Sequence, residues 1–151
     1  MDMKFGELVE EMPKFLRTLE SQPYLTIDNL KGLPKHGVYV FYEGRKALYV
    51  GRSNRVVDRI REHCRESSRH NSASFAFNLA KEEMRIEQGT KLGRHELEQA
   101  PGFGRAFYEA RKRVGEMEIR AVSIEDQVKQ ALFEIYAALE LNCKYNNFRT
   151  H

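Results

Sequence analysis

Tyr39 and Tyr49 stand ten residues apart, Arg59 and His63 follow at helical spacing, and Glu134 is an acid with no cation three or four positions away. A phenol, a guanidinium, an imidazole and a carboxylate can together orient water, move a proton and bind an anion. Their use depends on the elements that carry them. Two short runs rich in Val, Tyr, Phe and Leu flank Glu43-Gly44-Arg45-Lys46, the pattern of a β-hairpin. Side chains alternate faces along a strand, so direct pairing of Tyr39 with Tyr49 requires an odd loop, Glu43 to Arg45 or Tyr42 to Lys46, and sends both phenols to one face.

After Gly51 the pattern turns helical. Ser53 or Asn54 can cap this helix, Val56, Ile60 and Cys64 form its buried stripe, and Arg55, Arg59 and His63 lie on the neighbouring stripe. Two hydroxyls, a guanidinium and an imidazole would then converge. Farther along, Ser123 with Asp126 suits a helix start, and Val128, Leu132, Ile135 and Leu139 form the expected core stripe. Glu134 falls off that stripe, among Gln130, Ala131, Ala137 and Ala138, so no cation on its own helix pairs with it. Such small, uncharged neighbours leave room for an ion and its waters.

At these residues the chain resembles the GIY-YIG nuclease domain. Gly37-Val38-Tyr39 and Tyr49-Val50-Gly51 are similar to its two triplets, with Val in place of Ile in both. The family's helical arginine matches Arg59, and the histidine that some members carry one turn later matches His63. Its metal-binding glutamate matches Glu134, and the Asn that follows a Tyr after that helix matches Asn146. The resemblance runs from about Leu33 to Asn146. It implies an α/β (α+β) fold with a small three-stranded antiparallel sheet flanked by helices, and divalent-metal-dependent endonuclease cleavage of DNA phosphodiester bonds. Glu134 would hold Mg²⁺ or Mn²⁺, since Mg²⁺ commonly takes one or two carboxylates and keeps several waters. Arg59 would grip a nonbridging phosphate oxygen with its planar fork. Tyr39 would orient and deprotonate the attacking water with His63 accepting the proton, and Tyr49 would help position water or phosphate. Gly51 would let the backbone approach substrate, Arg52, Arg55 and His70 would border it, and Asn146 would tie the chain after the helix to the site.

The bulk properties agree with one globular domain: 151 residues, 41% hydrophobic and 31% charged, with a net charge of +3. Six arginines between Arg52 and Arg69, against Asp58, Glu62 and Glu66, favour an anionic partner. Cys64 and Cys143 belong to no metal-ligand pattern, which argues against zinc and a disulfide framework and for a reducing, cytoplasmic setting. An acidic N-terminus interrupted by Pro13 is unlike a signal peptide, and no apolar run approaches the length of a membrane span.

Residues 1–32 read as an N-terminal helical extension: Phe5, Leu8, Val9 and Met12, then Pro13 opening a second short helix with Phe15, Leu16 and Leu19, or one kinked helix. It would add core cover or contact a second copy. Tyr24 to Leu33 reads as a short helix or turn. Residues 33–151 form the nuclease-like domain, with helices at Ser74 to Gln88 and Ala106 to Val114, a third strand at Met117 to Val122, and an insertion at about 90–115. In that insertion Arg94, Arg105, Arg111, Lys112 and Arg113, with Phe103, Phe107 and Tyr108, could contact phosphates and bases. The compact plan resembles restriction-type or small stand-alone members. An inactive nucleic-acid-binding module and an interaction subunit are the alternatives, and a homodimer or two successive events would serve for cutting two strands.

Overall fold

The computed structural model describes residues 3–69, 72–84, 99 and 101–148. These form two compact units, one of Met1–Val57 with Glu118–His151 and the other of Asp58–Met117. Helix α1 spans Phe5–Glu20, strand β1 Leu25–Thr26, β2 Gly37–Glu43 and β3 Lys46–Ser53. Helix α2 (Val56–Cys64) begins in the first unit and ends in the second, which also holds α3 (Ser74–Glu83) and α4 (Phe103–Gly115). Strand β4 (Glu118–Ser123) and helix α5 (Gln127–Glu140) return to the first.

Among the described residues the sheet has four strands rather than three, in the order β1-β4-β2-β3 with every pairing antiparallel. The extra strand is the two-residue β1, in a stretch read from sequence as a helix or turn; two residues are too few to show an alternation. Gly44 and Arg45, both in the left-handed region (φ 58° and 65°), close the β2–β3 hairpin as a two-residue turn. That even loop would put Tyr39 and Tyr49 on opposite faces. The register instead shifts between Phe41 and Tyr42, leaving Leu48 as an extra residue on β3. Tyr39 therefore pairs with Gly51 and Phe41 with Tyr49, so the phenols share a face as diagonal neighbours rather than as a direct pair.

One sheet face, with Val38, Val40, Tyr42, Val50 and Val122, forms a core with Met12 and Leu19 of α1 and Phe133, Ala137 and Ala138 of α5. The α1 stretch is one helix containing Pro13. On α5 the buried residues are Gln130, Phe133, Ala137 and Ala138; of the expected core stripe Val128, Ile135 and Leu139 are exposed, and Leu132 alone packs partly buried against the core. This helix is apolar on two opposite faces, and its smaller face is the one the sheet accepts. It starts one residue beyond Asp126, whose carboxylate accepts from the Lys129 N–H. It ends on Asn142 in the left-handed region, with Cys143 N–H bonded to Ala138 C=O and Asn142 N–H to Leu139 C=O. That reversal returns the chain along β3.

In the second unit, Phe77 of α3 meets Phe103 and Phe107 of α4 at ring-centroid distances of 5.3 and 6.0 Å. Both α4 phenylalanines are buried, so they build this helix pair rather than offering faces to bases, and Tyr108 is the aromatic left exposed. Arg111 lies over the Phe107 ring and donates to Ser68 C=O. Expected features at residues 85–98, including Arg94, lie outside the described residues.

Candidate active site

Gly51 is built around a neighbouring ring. A Cβ at this position would collide with the Tyr39 hydroxyl and ring, so only glycine lets the Tyr39 side chain lie flat across β3. Gly37 is similarly constrained, because its Cβ would strike the Val122 carbonyl of β4. Tyr39 is buried at 1% exposure, while Tyr49 is partly exposed.

The C-terminal segment fixes the second triplet from outside. Strand β3 is the sheet's edge and would leave its outer N–H and C=O groups unpaired. Asn146 supplies the partner: its Oδ1 accepts from Val50 N–H at 2.9 Å, and its Nδ2 donates to Val50 C=O at 2.8 Å. Tyr145 N–H adds a long bond to Leu48 C=O. One carboxamide thus imitates a neighbouring strand at the centre of Tyr49-Val50-Gly51.

Glu134 lies on the flank of α5 that also carries Gln127, on the helix covering the sheet face opposite the phenols. It is half-buried and, among the described residues, makes no hydrogen bond or ion pair. Burial raises its pKa above the ordinary carboxylate value, and the positive charge of Arg52 partly offsets that. Arg52 reaches the same helix through a 3.4 Å bond to Gln127 C=O. Among the described residues no three of His, Cys, Asp and Glu cluster, so an ion here would take Glu134 as its protein ligand. A half-buried carboxylate with no ion pair among the described residues would suit Mg²⁺, which commonly takes one or two carboxylates and keeps several waters.

Arg59, in the second unit, is held by one corner. Its Nη1 donates to Ser72 C=O at 2.6 Å and to Glu62 at 3.3 Å, with the side chain 23% exposed. Among the described residues its Nε and Nη2 make no hydrogen bond, which leaves one edge of the fork for an anion. His63 shares α2 but is completely buried, and burial with the Arg59 charge lowers its pKa to about 3. Protonating it at pH 7 would cost on the order of 5 kcal/mol, so the expected role of proton acceptor does not fit. Spacing placed it beside Arg59; its depth was invisible to spacing. His70 lies outside the described residues, and Arg55 is exposed next to a turn in which its N–H donates to Ser53 Oγ.

The sequence missed Asn54 and Gln130. Asn54 does not cap α2; its Oδ1 accepts from Gln127 Nε2 at 2.9 Å and from Gln130 Nε2 at 3.0 Å. Gln130, 1% exposed, also donates to Ile124 C=O at 2.7 Å. Gln130 stands off the stripe expected from sequence to face the core, so periodicity carried no signal of its burial.

The family model of the GIY-YIG catalytic domain matches residues 35–145. The chain belongs to the GIY-YIG family. That span contains both triplets, Arg59 and Glu134, ends one residue before Asn146, and gives the protein a nuclease-type function. No curated protein and no solved structure matches the chain significantly. Among the described residues, no helix of this GIY-YIG protein is long and apolar enough to cross a membrane.

Proposed function

We propose that this GIY-YIG protein is a divalent-metal-dependent DNA endonuclease of restriction or small stand-alone type. The observation carrying the metal dependence is Glu134, a half-buried carboxylate without a hydrogen bond or ion pair among the described residues and with its pKa raised by burial. A bound Mg²⁺ or Mn²⁺ would supply charge neutralisation at the scissile phosphate and a lowered pKa for bound water. The free edge of the Arg59 fork binds a nonbridging phosphate oxygen and stabilises the charge that grows there. Tyr49, the partly exposed phenol, orients the attacking water or the phosphate. Tyr39 lies deeper, against Gly51, and holds the hairpin surface on which Tyr49 acts. His63 stays neutral. Arg52 and Arg55 border the strand through charge on the DNA backbone.

Because β3 is the sheet's edge, groups from both of its faces border the same rim. Residues 1–32 are proposed as an extension to this domain and about 90–115 as its insertion. Exposed Arg105, Lys112 and Arg113 on α4 are the groups there suited to phosphates. Cleaving both strands with one site per chain requires two copies or two successive events. The proposal is tested by plasmid nicking with Mg²⁺ or Mn²⁺, in the presence and absence of EDTA. Salt-sensitive DNA binding with no cleavage under any metal would replace it with a binding module.

A further inference from the structure

Helix α5 enters the core through Phe133, Ala137 and Ala138, with Leu132 and Tyr136 partly buried against it. Such contacts fix how far the helix stands from the strands, but being non-directional they fix its axial position poorly. A hydrogen bond tolerates only a few tenths of an ångström. Gln130 makes two from one nitrogen, to Asn54 Oδ1 in the β3–α2 connection and to Ile124 C=O in the β4–α5 connection. Asn54 Oδ1 collects a second donor from Gln127, whose Nε2 also reaches Glu125 C=O. The carboxamides therefore clamp the first two turns of α5 to the residues directly after β3. Glu134 is one turn beyond Gln130, about 6 Å along the axis.

We infer that Gln130 and Asn54 are positioning residues that set the Glu134 carboxylate relative to the Tyr49–Arg52 end of β3. The inference rests on the nuclease reading for its effect on rate, but not for the coupling itself. The roles have opposite polarity, because Gln130 acts only as donor and Asn54 only as acceptor. Asp can replace Asn54, since a carboxylate oxygen accepts both bonds. Glu cannot replace Gln130, since an ionised carboxylate donates none.

The test compares wild type with Gln130→Met, Gln130→Glu, Asn54→Ala, Asn54→Asp and the double variant Gln130→Met/Asn54→Ala, with Glu134→Ala as the inactive reference. Plasmid cleavage is measured at saturating DNA and Mg²⁺. Gln130→Met, Gln130→Glu and Asn54→Ala are expected to lose roughly ten- to a hundredfold in kcat with KM for DNA little changed, the effect of a displacement of about 1 Å. Asn54→Asp is expected to stay within a few-fold of wild type, and the double variant to be no slower than the worse single one. Unchanged kcat in Gln130→Met, or multiplicative losses in the double variant, overturns the inference while leaving the nuclease reading intact. If wild type cleaves nothing, the nuclease reading fails and the clamp is read from backbone amide spectra. Asn54→Ala is then expected to shift the signals of residues 130–134, and Gln130→Met those of 52–55. Absence of this reciprocal shift overturns the clamp.

Discussion

Asn146→Ala removes the one side chain that pairs with Val50 at the sheet's edge. Two bonds of 2.9 and 2.8 Å are lost. At about 1 kcal/mol each, more because Val50 is fully buried and its freed N–H and C=O are poorly hydrated, the cost is about 2–3 kcal/mol. For a chain of this length each kcal/mol lowers Tm by roughly 2–4 °C, so the drop should be about 4–12 °C. Asn146→Asp is the sharper probe. Its carboxylate still accepts from Val50 N–H, but its second oxygen faces the Val50 carbonyl and repels it. It should therefore be no more stable than Asn146→Ala at neutral pH. Thermal and urea melts give the free energies, and amide exchange at Val50 reports the local bond. A Tm within about 1 °C of wild type, together with unchanged Val50 exchange, would refute the reasoning that this carboxamide stands in for a strand.

Gly51→Ala should force the Tyr39 ring off β3, with a destabilisation of about 1–3 kcal/mol in urea melts and loss of cleavage; a fully stable, active variant would contradict the close approach. His63 has a folded pKa below its unfolded value, so the unfolded chain binds the extra proton between about pH 6.5 and 3. Stability should fall by about 1.4 kcal/mol per pH unit across that window as pH drops, a dependence that His63→Phe should lack in melts at matched pH. For Glu134 the sign is reversed. Its folded pKa is raised, so stability falls as pH rises through the window from the ordinary carboxylate value upward. In metal-free buffer Glu134→Gln should be more stable than wild type at pH 7, and this advantage should vanish in acid.

The hairpin, the first turns of α2 and the α5 segment could all be read from side-chain types, because alternation and helical spacing are local properties. The shared face of Tyr39 and Tyr49 was legible too. Its route was not, since an even turn of Gly44 and Arg45 plus a bulge at Leu48 gives the same facing as an odd loop. Periodicity also failed where two answers fit it equally. Val128, Ile135 and Leu139 make as regular a stripe as the Phe133 and Ala137 face, and only the space beneath the sheet selects the second. His63 and Phe107 were misread for a related reason: type and spacing state what a side chain could do, whereas burial decides whether solvent or substrate can reach it. Asn54 was recognised as a polar group at a helix start, but its partners are more than seventy residues away in sequence.

The most direct test of the central claim is cleavage of supercoiled plasmid DNA by wild type, Glu134→Ala and Arg59→Ala, each with Mg²⁺ or Mn²⁺ and with EDTA. Metal-dependent nicking or linearisation by wild type, abolished by EDTA and reduced by at least about a hundredfold in both variants, is the predicted result. Cleavage that survives EDTA, or that Glu134→Ala retains at the wild-type rate, would contradict it.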